Sequence, residues 1–407
     1  MDNAAGGDAG AVTAGSWSAR GQWRIYAVAL LAEVSLLDAI WIIYLRDRGL
    51  SLAQIGAAEA AFHLAPLTLE LPTGSLADVL GRKWSLALGA LAIVLSTMLL
   101  WTTTGFWMAL PAMYLWGASY TFRSGAEQAF LFDALAEQGE TSRFARLFGR
   151  LRSASYLLVA VGAWAGGALA GIDYAWPFAI TIAIGLARVW LAARLREPVR
   201  ERPAHRRIGR NIVEALQIVR ARQGLAPLLA FTALFWTLST LIGLYVQAVL
   251  SESGVGTSDV GLVVAVSLVV TAGGGWIAHR LAGEHRFVRW TVVFTAAMVG
   301  CGIGLGSGHL VVAIAAALVA GFAGGLFEPV LAARINEGLP AAQRATILSV
   351  ESFLISATMI WAFPLAGWAA ERWSWGTMYA GAGAVVVVAL VIWITVGRRT
   401  GRVRTED

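Results

Sequence analysis

Apolar stretches about 20 residues long recur along this chain from end to end, and few folds can absorb so many. A helix needs about that length to cross a ~30 Å hydrocarbon layer. Such stretches fall near 24–45, 52–77, 84–103, 106–135, 147–171 and 175–195. A second set follows near 225–250, 258–280, 288–306, 309–335, 345–370 and 374–396. Hydrophobic residues make up 58% of the 407 and charged ones only 14%, against roughly 25% charged in a soluble domain. Apolar surface on that scale needs lipid as its solvent. The expected class is therefore an all-α integral membrane protein of about twelve transmembrane helices.

The basic residues set its orientation. Arg82 and Lys83 follow the second stretch, Arg143, Arg146, Arg150 and Arg152 the fourth, and a run of arginines between Arg194 and Arg222 the sixth. Arg280, Arg286 and Arg289 follow the eighth, and Arg334 and Arg344 flank the loop after the tenth. The alternate loops carry almost none; Arg46, Arg48 and Arg372 are the exceptions. By the positive-inside rule the two termini and the central loop are expected in the cytoplasm of a cell bounded by an inner membrane. The net charge of +6 thus points to lipid headgroups rather than nucleic acid. Residues 1–20 read as a disordered tail without the features of a secretory signal. The expected organisation is a six-helix half at 21–195, a linker at 196–222, a second half at 223–396 and a tail at 397–407. The run Ile212–Val219 in the linker suits a helix lying on headgroups.

The two halves line up with each other. At an offset of 201 residues, Gly74-Ser-Leu-Ala-Asp78 matches Gly275-Trp-Ile-Ala-His279, Glu127 pairs with Glu328, Arg143 with Arg344 and Gly166 with Gly367. Ile55-Gly56 pairs with Val260-Gly261 at a slightly different offset. Internal repeats of this kind build transporters whose solute site lies at the repeat interface near the midplane.

The segment Pro72-Thr-Gly74-Ser-Leu-Ala-Asp78-Val-Leu-Gly81-Arg82-Lys83 resembles the signature loop of the major facilitator superfamily, between its second and third helices. It departs at Val79, where that family has a basic residue. The resemblance implies two pseudo-symmetric six-helix halves working by alternating access. It also implies a gating role for Gly74, Asp78, Gly81, Arg82 and Lys83, with Asp78 facing the start of the eleventh helix and Arg82 pairing with Asp133 to latch an outward-open state. Gly162-Ala-Trp-Ala-Gly166-Gly167 resembles the antiporter signature of drug–proton exchangers, with Ala163 in place of a proline. Leu37-Asp38-Ala-Ile resembles the acidic first-helix motif of the same exporters.

Ionisable side chains at bilayer depth are costly and mark function by default. The first stretch carries Glu33 and Asp38, the expected proton carriers together with Glu127. On the second, Glu59, His63, Pro66 and Glu70 form one helical stripe, and on the fourth so do Trp116, Tyr120, Arg123 and Glu127. Arg123 and Glu127 are expected to pair at i, i+4. Trp236, Tyr245, Glu328 and Glu351 complete the expected cavity lining, with Trp361 deep enough to stack on a ligand. A carboxylate facing such a cavity can load and release a proton.

Other signals carry little. Gly302-Ile-Gly304-Leu-Gly306 lies inside a membrane stretch with no strand before it, so it is no dinucleotide site. His279, Glu284 and His285 lack a fourth ligand, so no metal is expected. No phosphate-cradling loop and no nucleophile–base pair is present, so the chain is expected to be neither an ATP-driven pump nor an enzyme, and to need no cofactor beyond a proton gradient. The leading expectation is a monomeric proton-coupled exporter of small amphipathic molecules. A nutrient or metabolite importer, or a non-transporting membrane sensor, are the alternatives.

Overall fold

The computed structural model describes residues 19–198, 219, 224–280, 287–336 and 341–399. The two tails and most of the 196–222 linker, including positions 212–218 of its apolar run, lie outside the described residues. So do the side chains of Gly74 and Asp78, and with them the expected contact of Asp78 with the eleventh helix.

Helices fill the described chain in the expected order. In the first half they are α1 (Ala19–Ala32), α2 (Trp41–Asp47), α3 (Leu52–Leu80), α4 (Arg82–Trp101), α5 (Phe106–Arg123), α6 (Ala126–Ala136), α7 (Phe144–Ala170) and α8 (Ala175–Ala193). In the second they are α9 (Leu225–Glu252), α10 (Thr257–Ile277), α11 (Phe287–Leu305), α12 (Leu310–Asn336), α13 (Ala341–Arg372) and α14 (Trp375–Arg399). Nine of the described helices are long and apolar enough to cross a membrane. Three more spans complete the set of twelve: α3, with its buried Glu59, and two that are broken. The first span is split into α1 and α2 by residues 33–40, and the fourth into α5 and α6 at Ser124–Gly125.

The halves meet along two helix pairs that the repeat exchanges, α3 with α13 and α7 with α10, and α2 also touches α9. Glycine sets how closely these pairs approach. A Cβ on Gly56 of α3 would collide with the Phe363 carbonyl of α13, and one on Gly367 of α13 with the Leu52 carbonyl of α3. In the other pair Gly261 of α10 abuts Gly167 of α7, where a Cβ would lie 2.6 Å from its neighbour's Cα. In lipid, close backbone packing of this kind stands in for the hydrophobic drive that holds soluble helices together.

Polar contacts tie the loops of each face. On one face Arg82 pairs with Asp133, Arg196 with Glu137 at 2.8 Å, and the backbone N–H groups of Arg82 and Lys83 donate to Glu197 at 2.6 and 2.9 Å. This is the arginine-rich face, the one expected in the cytoplasm. On the other face two of the three basic exceptions are engaged. Arg46 reaches Glu252 at 3.2 Å and Glu371 at 3.3 Å, and Arg48 donates to the Thr103 carbonyl at 3.3 Å while lying over the Tyr44 ring. Large apolar side chains such as Trp107, Trp276 and Val311 are exposed around the outside, as a lipid-facing surface requires. Trp361, expected deep in the protein, belongs with them at 74% exposed.

Candidate functional site

The site begins at the break in the first span. Glu33-Val-Ser-Leu-Leu-Asp38 contains neither Gly nor Pro, so nothing in the segment itself obliges the helix to stop. The cause lies across from it. Gly162 and Gly166 on α7 leave room for the backbone of Ser35 and Leu36, whose carbonyls stand where their Cβ atoms would be. Within the break the Ser35 hydroxyl donates to Asp38 Oδ1 at 2.6 Å. The Asp38 carbonyl, freed from helical bonding, accepts 2.7 Å from Gln247 Nε2 of α9. The acidic turn is thereby joined to both halves.

The second break changes a pairing. Ser124 is extended at ψ 129°, and Gly125 is left-handed at φ 71°, a conformation glycine adopts freely. Because α5 ends at Arg123, Glu127 does not sit one turn above it, and the expected i, i+4 ion pair is not formed. Arg123 Nη1 instead reaches Glu33 Oε1 at 2.7 Å, with both side chains mostly buried, and its guanidinium lies 5.3 Å from the Tyr120 ring centre.

These residues wall a cavity of ≈ 660 Å³, lined by Glu33, Glu70, Tyr120, Arg123 and Glu127 together with Ser352 and Ser356 of α13. Phe148 and Arg152 of α7 also face it and were not expected there; the positive-inside pattern used Arg152 only as a loop charge. A second cavity of ≈ 30 Å³ lies against Trp116, Tyr120, Arg123 and Ser35. Glu59 is buried and sits 3.3 Å from His63, whose ring stacks on Phe363 of α13.

Other expected lining residues do not converge here. Tyr245 is 1% exposed and donates to the Phe363 carbonyl at 3.1 Å, which makes it a strut between α9 and α13. Trp236 is half-buried and packs edge-on against Phe235. Glu328 is exposed and Glu351 half-buried, and neither lines the cavities described.

In the signature loop, Gly81 has φ 99°, and its missing Cβ makes space for the Glu197 carboxylate. Glu197 therefore caps α4, whose N-terminal residue offers no side-chain cap of its own, placing an anion at the positive helix end. Sequence reading left Glu197 in the linker. The expected Arg82–Asp133 pair is made, within the first half.

On the opposite side polar contacts tie the two halves together beside hollows of ≈ 460 and ≈ 550 Å³. Glu371 accepts from the Leu52 N–H at 2.6 Å as well as from Arg46, and Trp375 Nε1 donates to Glu252 at 2.7 Å. Tyr174 donates to Asp47 at 2.8 Å; burial first, then the adjacent carboxylate, raises the Tyr174 pKa above the usual tyrosine range. Contacts between the halves thus cluster on the side away from the larger cavity. The sequence pattern of the Major Facilitator Superfamily matches residues 23–308.

The chain belongs to this superfamily.

As a superfamily member it is a multi-pass membrane transporter and not an enzyme. It is 24% identical over 241 residues to the uncharacterized MFS-type transporter YxaM of Bacillus subtilis (strain 168), a match covering 57% of this chain and 59% of the relative's length. Among solved superfamily structures, a mutant of the nucleoside transporter NupG matches with a TM-score of 0.79 at 13% identity, over 92% of this chain and 99% of that one. A D-xylose–proton symporter matches with 0.65 at 14% identity, over 92% and 96%. A bacterial homolog of the human lysosomal transporter Spinster, inward-facing and unoccupied, matches with 0.66 at 16% identity, over 97% and 98%. These likenesses concern the fold.

Proposed function

We propose that this transporter works by alternating access as a secondary active carrier, coupling a small-molecule solute to protons through Glu33 and Asp38. The observation that carries the reading is the position of Glu33. It lines the open cavity and is also the ion-pair partner of Arg123. A proton arriving on Glu33 removes the charge that holds Arg123 and frees that guanidinium to move. Asp38 sits behind it on the broken segment that Gln247 joins to the other half, so a proton there bears on how the halves meet. No cofactor other than the proton gradient is needed. The protein acts as a monomer in the inner membrane, with its arginine-rich face in the cytoplasm.

Extrusion of small amphipathic compounds is supported by the likeness of Gly162–Gly167 to an exporter signature. The packing of Gly162 and Gly166 on the break accounts for those two glycines without antiport, which lowers the weight of that support. Uptake has comparable support, since solved neighbours are named for nucleoside transport and D-xylose–proton symport. Proteoliposomes carrying an internal pH dye test the reading. A solute gradient should move protons in the wild type and fail to do so in Asp38→Asn at equal protein content. Retained proton movement in that variant rejects Asp38 as a carrier, and the sign of the pH change distinguishes exchange from symport.

A further inference from the structure

Arg188 on α8 is the most deeply buried arginine among the described residues, at 7% exposed. Among the described residues no carboxylate lies within 4 Å of it, and its Nε has no hydrogen-bond partner. Thr181, seven residues earlier and so on the same face of the helix, is likewise 7% exposed with its hydroxyl unpartnered. Both line the small cavity, and so do Ser35, Tyr120 and Arg123. Glu127 and Glu33 act on Arg188 only from beyond contact distance, and a buried guanidinium without a contacting acceptor is unfavourable. Two orphaned polar groups on residues that line one space call for a ligand that reaches both.

We propose that Arg188, with Thr181 and Arg123, forms an anion-binding subsite, and that the transported solute carries a carboxylate that docks there. This rests on the reading of the larger cavity as the solute path. Tyr120 and Arg123 line both cavities, so a solute body in the larger space reaches the smaller with its head. At ≈ 30 Å³ the inner space holds one or two water-sized atoms, the size of the two oxygens of a carboxylate and far below that of a whole solute. Arg123 already holds Glu33, which leaves Arg188 as the free fork, and a guanidinium presents paired donors that match a planar carboxylate. A neutral solute leaves Arg188 without a contacting anion, so the pocket favours anions as well as accepting them. In the second half the position 201 residues on is Ala389, so the subsite belongs to the first half alone.

The test is thermal stabilisation of the detergent-purified full chain at constant chloride. Acetate and benzoate are compared with their neutral isosteres acetamide and benzamide, and phosphate serves as a separate anion. At least one carboxylate should protect the wild type at a concentration about tenfold below its amide. In Arg188→Gln that difference should collapse to about twofold or less, and Arg188→Lys should retain part of it. The unliganded Arg188→Gln protein should melt no lower than wild type, because it removes a buried charge that lacks a partner. A lower melting point makes Arg188 a structural counter-ion and overturns the proposal. Carboxylates no better than their amides overturn it too, as does a preference that survives in Arg188→Gln. Protection by phosphate alone overturns the carboxylate assignment. No gradient is involved, so a failure here is separable from a failure of proton coupling in Asp38→Asn.

Discussion

The first span of the N-terminal half and its counterpart 201 residues on, α9, are both apolar, yet one is broken over residues 33–40 and the other runs unbroken for 28 residues. The fourth span and its counterpart α12 differ in the same way. α5 stops at Arg123 and α6 restarts after Gly125, whereas α12 is helical for 27 residues. The difference lies in what each span packs against. At the position of Gly162 the second half has Phe363, which packs on the Tyr245 ring and accepts the Tyr245 hydroxyl. A glycine admits a backbone excursion, and a phenylalanine fills the same space. Chemistry follows geometry: the charged residues among the buried set, Glu59 and Arg188, both lie in the first half, while the second half buries Thr232, Thr237, Gln247, Thr291 and Thr295. Among the described residues the buried charged side chains thus lie in the first half, and the buried polar side chains of the second are neutral.

The largest expected effect comes from giving the first half the second half's solution. Gly162→Phe should drive the Ser35–Leu36 backbone from its seat and abolish solute counterflow in proteoliposomes. Wild-type counterflow would show that the glycine does not create the break. Next is Glu33→Gln, which leaves Arg123 mostly buried without its partner. Removing one member of a buried pair costs about 3 kcal/mol or more, so the variant should melt well below wild type, and Glu33→Gln with Arg123→Gln should recover much of the loss. A double variant no more stable than the single would mean that the pair is not the source.

Smaller effects are expected where charges are solvated. Arg46 and its partners Glu252 and Glu371 are each about one-third exposed, and pairs of that kind contribute about 1 kcal/mol or less. Arg46→Gln should therefore increase separation of the halves on that side only about fivefold or less. Labelling of Ser251→Cys by a membrane-impermeant thiol reagent would read this, in a background where the single cysteine, buried Cys301, is replaced by serine. Smallest of all is Glu328→Gln, at the exposed counterpart of Glu127. Coupled flux should change less than about twofold, as for surface substitutions generally, while Glu127→Gln at the cavity wall should change it more. Equal effects at the two positions would erase the distinction between the halves.

Much of the scaffold was legible because it depends on local sums. Span length, arginine placement and a constant repeat offset can be counted along the chain, and they located every span to within a few residues. Glu33, Tyr120, Arg123 and Glu127 were found because a charge or a polar stripe at membrane depth is conspicuous wherever it lands. Tyr245 and Glu328 were misplaced as lining because depth along a helix does not say which way a side chain faces. Arg188 was passed over because it lies near the end of α8, close to the run of arginines that begins at Arg194.

The sequence by itself thus determined the number and order of the spans, their two-fold repeat, and the presence of carboxylates in the first of them. Hydropathy and charge act residue by residue against lipid and water, so their pattern needs no partner to be read. Only the tertiary structure decided where the helices break, that Arg123 pairs with Glu33 across 90 residues instead of with Glu127 four residues on, and that Glu197 caps α4. Each of those outcomes depends on the shape a neighbouring helix presents, whether a glycine yields to a backbone or a phenylalanine excludes it, and close packing alone settles that.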